Sequence, residues 1–265
     1  MDLKLTPQGL LIYLTMAAFL VAAVLLSDKK RQALGHGFWF AGFVAALVSV
    51  AYRGVHTGHP PMQNLFEFFL CMAAALWPLS VLSKRQTGLD TCFQDALLGL
   101  IILFPAGFVF SEDVRRLPPA LQSSLFVPHV GSYVAAYILL ARSTLMALPM
   151  FAAKVRADPA RLRQLDVASR QTVAMGFVLL SLGLLIGSLW GKICWGHYWQ
   201  WDPKEMWSLA TWFVYCAYFH YRLRNGVRSP RVLAALLVLG LLFIILTLTW
   251  INLSRRFPGV HNYAS

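Results

Sequence analysis

The chain has 265 residues, of which 58% are hydrophobic and only 13% charged, with a mean hydropathy of +0.60. Soluble domains carry about 25% charged residues, so this composition excludes a disordered chain, a coiled coil and an ordinary water-soluble enzyme; a soluble chain this apolar could not cover its own surface. The net charge of +12 does not indicate a nucleic-acid partner, because Lys and Arg fall in short clusters between apolar runs, as membrane proteins place them.

A spanning helix takes about 20 apolar residues. Eight runs have that character, at about 8–26, 38–54, 62–82, 95–111, 130–152, 171–190, 205–223 and 232–251. The expected fold is an all-α, polytopic membrane bundle of about eight helices, forming one membrane domain over 1–265 with no linker and no internal repeat. The first run lacks a basic flank and a small-residue cleavage site, and it is expected to stay as a span. Pro60 and Pro61 precede the third run, Asp95 opens the fourth and Ser229-Pro230 precedes the last, all suitable residues for helix starts. Fourteen Lys and Arg lie in one set of alternate loops and eight in the other. The positive-inside rule then puts the 154–170 loop in the cytoplasm and both termini outside. Cys71, Cys92, Cys194 and Cys216 are scattered, without a CxxC or zinc spacing.

One segment departs from lipid-facing helix. Six of the nine tryptophans, at 190, 195, 199, 201, 207 and 212, fall within 23 residues, beside Lys192, Asp202, Pro203, Lys204 and Glu205. An aromatic belt at the membrane interface would spread its Trp over several helix ends. This concentration reads instead as an external loop over 190–205 that offers a flat aromatic platform for a large planar ligand. Lys192 and Lys204 are placed to meet anionic groups at its edge. Pro203 biases Asp202 away from the helix, so Asp202 is expected to cap the seventh span. Trp39 and Trp77, outside the segment, are expected to tolerate replacement.

The histidines add to this. His129 is expected at the outer mouth of the fifth span. His261 lies about ten residues past the eighth, and ten extended residues reach roughly 33 Å, far enough to fold back over the same surface. Each alone reads more readily as an ordinary interfacial residue than as a ligand; together they could supply both axial ligands of a haem iron. His220 lies about 22 Å of helix beyond Glu205, deep enough to be a functional candidate or a snorkelling residue. Glu67 reads as structural, paired with Arg53 or His59. Arg142 needs a buried acceptor and His36 reads as solvated; His56 and His59, in the short outer loop after the second span, are either ligands or, the favoured reading, loop residues, while His197 lies within the Trp segment.

On these residues the chain resembles a known family. Trp195-Gly-His-Tyr-Trp-Gln-Trp-Asp-Pro-Lys-Glu-Met-Trp-Ser208 is similar to the "WWD" signature of haem-handling membrane proteins. Its Trp201-Asp-Pro-Lys-Glu205 ending resembles the CcsA (ResC) group of cytochrome c biogenesis proteins and departs from CcmC. Pro128-His129-Val130, Gly259-Val-His261-Asn-Tyr263 and Tyr218-Phe-His220-Tyr-Arg222 resemble the family's first external, second external and intramembrane histidines. Gly58-His-Pro60 with Asn64-Leu-Phe-Glu67 resembles its early outer-loop motif.

The resemblance implies the system II route of cytochrome c maturation in a bacterial inner membrane or an equivalent energy-transducing membrane. Haem b would move from His220 to an external site made of Trp190, Trp195, Trp199, Trp201, Asp202 and Trp207. It would be ligated there by His129 and His261, with propionates near Lys192, Lys204, Arg255 and Arg256, and joined to the CxxCH motif of an apocytochrome c. A CcsB (ResB) partner would supply the second intramembrane histidine and complete a haem lyase. The competing readings are CcmC-like haem delivery, a HemX-like accessory role, a secondary transporter of an aromatic or anionic solute, and a quinone-linked redox subunit.

Overall fold

With lipid as solvent, a spanning segment must satisfy its backbone hydrogen bonds internally, and each of the eight expected runs is helical. The computed structural model describes residues 3–114 and 116–250. Its long helices are α1 (Pro7–Ser27), α2 (Gln32–Thr57), α3 (Leu65–Thr87), α4 (Cys92–Phe108), α5 (Phe126–Ala147), α6 (Pro159–Trp195), α7 (Pro203–Asn225) and α8 (Pro230–Leu248). No strand occurs among the described residues. Six of these helices are long and apolar enough to cross a membrane; α4 is apolar but has 17 residues, and α7 lies outside the apolar set. The protein is a multi-pass helical membrane protein. Its helices divide into two compact units, one of residues 1–84 with 90–122 and one of residues 85–89 with 123–265.

In the first unit, Phe19 of α1 is fully buried. A Cβ on Gly42 of α2 would lie 2.5 Å from its ring, and one on Gly99 of α4 would lie 2.6 Å from it. Glycine at both positions lets one aromatic side chain fill the space between three helices. Trp39 packs 4.8 Å from Phe19 and is only 1% exposed. The expectation that it tolerates replacement is therefore corrected: Trp39 is a core side chain.

A buried ion pair closes the other end of this unit. Arg53 Nε donates to Glu67 Oε1 at 3.0 Å, and both side chains are almost fully buried. The remaining guanidinium donors reach the carbonyls of Glu112 at 2.6 Å and Asp113 at 3.0 Å, and Glu67 Oε2 accepts from Gln63 N at 2.8 Å. Such a pair offsets its desolvation only when its other donors and acceptors are also used, as they are here. The pairing of Glu67 with Arg53 agrees with the expectation from sequence.

In the second unit, α6 has 37 residues, about 55 Å at 1.5 Å per residue, well beyond a ~30 Å hydrocarbon core. It begins at Pro159 rather than near 171, because Asp158 caps it, accepting from Ala160 N and Arg161 N at 3.1 and 3.0 Å. Its charged first turns are tied to the end of α7, where both oxygens of Asp166 take Arg222, one at 2.7 Å. Gly176, Gly183 and Gly187 share the α6 face that meets α5. A Cβ on each would lie 2.8 Å from Leu140, 2.9 Å from Tyr133 and 2.5 Å from His129. Small residues of this kind let membrane helices approach closely. Arg142 of α5 is 1% exposed.

Glu67→Ala should destabilise the protein by about 3–5 kcal/mol, because it leaves Arg53 buried without its counter-charge. The double variant Arg53→Met with Glu67→Leu should lose markedly less. Thermal denaturation of the purified protein in detergent, with both variants side by side, measures the difference.

Candidate functional site

The Trp-rich segment begins as helix. Nothing between Trp190 and Trp195 breaks the pattern, and α6 ends only at Gly196, whose φ of 82° closes it with an N–H to Lys192 O bond of 3.1 Å. Glycine tolerates this left-handed conformation without a Cβ clash. Lys192 Nζ donates to Gly196 O at 2.8 Å and sits 5.5 Å from the Tyr198 ring centre, a favourable place for a cation at a helix C-terminus. The connection is thus residues 196–202, shorter than the expected 190–205. Trp190, Lys192 and Trp195 belong to the last turns of α6.

The far side of the connection is a capping box. The Asp202 side chain accepts from Lys204 N at 2.9 Å, and Glu205 reaches back to Asp202 N. Pro203 occupies the first helical position, where the missing N–H costs nothing. The expected cap at Asp202 is present, and Glu205 completes it. Glu205 does more than the motif requires. Its Oε2 accepts from Gln200 N at 2.8 Å and from Asp202 N at 3.2 Å, so one carboxylate oxygen holds the amides on both sides of Trp201.

Trp201 has φ of 57°, and it is the one non-glycine residue with positive φ among those described. For a bulky side chain this conformation costs on the order of 1–3 kcal/mol. The charge-assisted bonds to Glu205 offset that strain, and the result is an indole 67% exposed. This role of Glu205 was missed in the sequence, where only its spacing from Asp202 could have signalled it.

The tryptophans do not share one plane. Trp190 is 3% exposed and lies 5.8 Å from Trp195 at 42°. Trp199 and Trp201 are 6.0 Å apart at 86°. Trp207 turns toward Phe243 of α8, 5.4 Å away. Trp212 donates from Nε1 to Ser181 Oγ at 2.9 Å and stacks on Phe177 of α6 at 5.5 Å. The physical reason is helical rotation: residues on α6 and α7 point in directions fixed by each helix's period, and only the short connection is free to re-aim its rings.

His129 meets the first of these pairs. It lies in the first turn of α5, with its ring 5.2 Å from Trp190 and 5.1 Å from Tyr133. Its Nδ1 is 3.0 Å from the Gly183 carbonyl. A carbonyl only accepts, so Nδ1 carries the proton and the imidazole lone pair lies on Nε2. Gly187 makes room for the ring.

The other expected residues are placed differently. Lys192 and His197 are exposed, and Lys204 is half-buried in the first turn of α7. His220 is deep in α7 by sequence, yet its side chain is exposed. His56 is not in a loop as expected but in the last turn of α2, where it stacks on Tyr52 at 5.9 Å; His59, past the helix end, has Nδ1 3.0 Å from Pro60 O. His261, Arg255 and Arg256 lie outside the described residues.

Comparison with known proteins gives an independent result. Residues 62–258 match the family model described as "Cytochrome C assembly protein". Among similar proteins, a cytochrome c biogenesis protein CcsA from Synechococcus sp. (strain CC9902) is 29% identical, with 97% of each chain covered. One from Synechococcus sp. (strain WH7803) is 30% identical over 80% of this chain and 79% of its own length. One from Guillardia theta is 24% identical over 96% and 93%.

Glu205→Ala should release the amides of Gln200 and Asp202 without unfolding α7. Hydrogen–deuterium exchange read by mass spectrometry should show faster exchange confined to about residues 198–206. Glu205→Gln, which keeps an acceptor oxygen, should show much less. Equal protection in the wild type and both variants would contradict the clamp.

Proposed function

The chain belongs to the cytochrome C assembly protein family and is a CcsA-like cytochrome c biogenesis protein; within that role, we propose that it is the haem-handling subunit of the system II cytochrome c synthetase. The observation that carries this reading is the seating of His129. Its Nδ1 bond to Gly183 O fixes the tautomer and directs the Nε2 lone pair, the arrangement that orients imidazole ligands toward a metal. Trp190 lies beside it and Trp195 lies next to Trp190, and the pair would supply apolar, polarisable surface for a porphyrin edge.

Haem b is the substrate in this account. His129 is one axial ligand and His261 the other. Trp199, Trp201 and Trp207, with Asp202 holding the turn, line the approach, and Lys192, Lys204, Arg255 and Arg256 meet the propionates. Trp199 Nε1 is buried without an acceptor among the described residues, and a propionate oxygen would satisfy it. The distribution of Lys and Arg supports an external position for this site and a cytoplasmic position for residues 154–170, in a bacterial inner membrane or an equivalent energy-transducing membrane.

The chemistry asks for orientation. Each thiol of the apocytochrome CxxCH motif adds across one haem vinyl group. A C–S bond forms, the thiol hydrogen ends on the vinyl group, and nothing leaves. No nucleophile is required of this chain, whose contribution is to hold the vinyl edge still and accessible. His220, exposed on α7, suits a second haem position shared with a CcsB (ResB)-like partner that offers another histidine across the interface.

Two variants test the reading. His129→Ala should lower co-purified haem several-fold and abolish maturation of a c-type cytochrome reporter, and added imidazole should partly restore both. Gly187→Ala should reproduce the loss by pushing the ring out of its seat, and imidazole should rescue it poorly because the seat is filled. Trp212→Phe, whose ring meets Phe177 and Ser181 of α6 and the neighbouring Phe213, should retain activity. Normal haem content and maturation in His129→Ala would reject the ligand role.

A further inference from the structure

A second cluster lies in the first unit. His36 in the first turns of α2, Asp90 just before α4 and Cys92 at its first residue bring one ligand atom each within 4.8 Å of the others. It is the single such group of three found among the described residues. His36 Nε2 is 3.7 Å from Asp90 Oδ2. Donors around a tetrahedral ion with bonds of 2.0–2.3 Å stand roughly 3.5 Å apart, so small side-chain rotations would bring the set to coordination distance.

The backbone already fixes part of the arrangement. Asp90 Oδ1 accepts from Cys92 N at 3.0 Å, which sets the carboxylate against the start of α4. The Cys92 side chain is buried, while His36 and Asp90 are 39% and 45% exposed. The thiol thus sits at the base of a site that opens to solvent on its other two ligands. Lys84 Nζ stands 2.6 Å from Asp90 Oδ2. It neutralises the carboxylate as a bound cation would, and it is 47% exposed, so it can swing away.

We propose that His36, Asp90 and Cys92 bind one divalent transition cation of the zinc class, with Lys84 occupying the cation's electrostatic place when the ion is absent. The donor set decides the class. One nitrogen, one oxygen and one sulfur suit Zn²⁺ and its neighbours and exclude the all-oxygen sites of Ca²⁺ and Mg²⁺. On binding, the Cys92 S–H bond gives its proton to water as the metal–sulfur bond forms. Three protein ligands leave a fourth position for water or another molecule. An ion held here would tie the start of α2 to the start of α4, helices that both pack on α1.

Co²⁺ titration of the full-length purified protein tests this. Difference spectra between metal-loaded and metal-free samples of one preparation cancel any haem absorption. The wild type should bind one equivalent with a thiolate-to-cobalt charge-transfer band in the near ultraviolet. Cys92→Ser should lose the band, and His36→Asn should weaken binding by at least about tenfold. Lys84→Gln should tighten it several-fold, because the competing ammonium is gone. Circular dichroism of each variant reports that the helices are intact. A wild type without the band, a band that survives Cys92→Ser, or affinity unmoved by Lys84→Gln would overturn the proposal.

Discussion

The close approach of α5 to α6 is the constraint on which the proposed haem site depends. Three glycines on one face of α6 remove the side chains that would hold the helices apart, and the third leaves a notch for the His129 ring. The imidazole then meets a backbone carbonyl at 3.0 Å. A helical carbonyl is a rigid acceptor, so the same packing that joins two spans also sets a tautomer. The orientation of the imidazole and the packing of the two helices are here one interaction, and a single methyl group at residue 187 would disturb both.

The connection that follows uses a different device. Its backbone is short and polar, and it carries a tryptophan in a costly conformation. The cost is met locally by the Asp202–Glu205 capping box, in which the one oxygen Glu205 Oε2 spans the strained residue. Anchoring the loop to the first turn of α7 makes a precise surface from a segment that would otherwise be loose. The Arg53–Glu67 pair does the analogous work in the first unit, where buried charge organises the 112–113 backbone by accepting and donating at every available atom.

Much of the fold was legible because apolar run length is a direct consequence of bilayer thickness. All eight expected runs fall on helices, and the Asp202 cap and the Arg53–Glu67 pair follow from residue chemistry at short range. The boundaries of α6 were not legible at either end. Its charged start looks like a loop until Asp158 is seen to cap it, and its aromatic end looks like a loop because tryptophan clusters carry no helical period. The orientation of the six tryptophans depends on helix phase, the exposure of His220 depends on which face α7 turns inward, and the positive φ of Trp201 depends on Glu205. The grouping of His36 with Asp90 and Cys92 joins residues more than fifty positions apart, which no local spacing reveals. His129 and the tryptophans of α6 were candidates from sequence, whereas Gly183 and Gly187, which seat the His129 ring, were not.

The central claim is that His129 Nε2 binds haem iron. Electron paramagnetic resonance of the ferric, haem-loaded protein carrying His129→Cys tests it most directly, since a thiolate in place of an imidazole changes the low-spin signal of the iron itself. The account predicts replacement of the histidine-ligated signal by one characteristic of thiolate ligation. A spectrum identical to the wild type at full haem loading would contradict it.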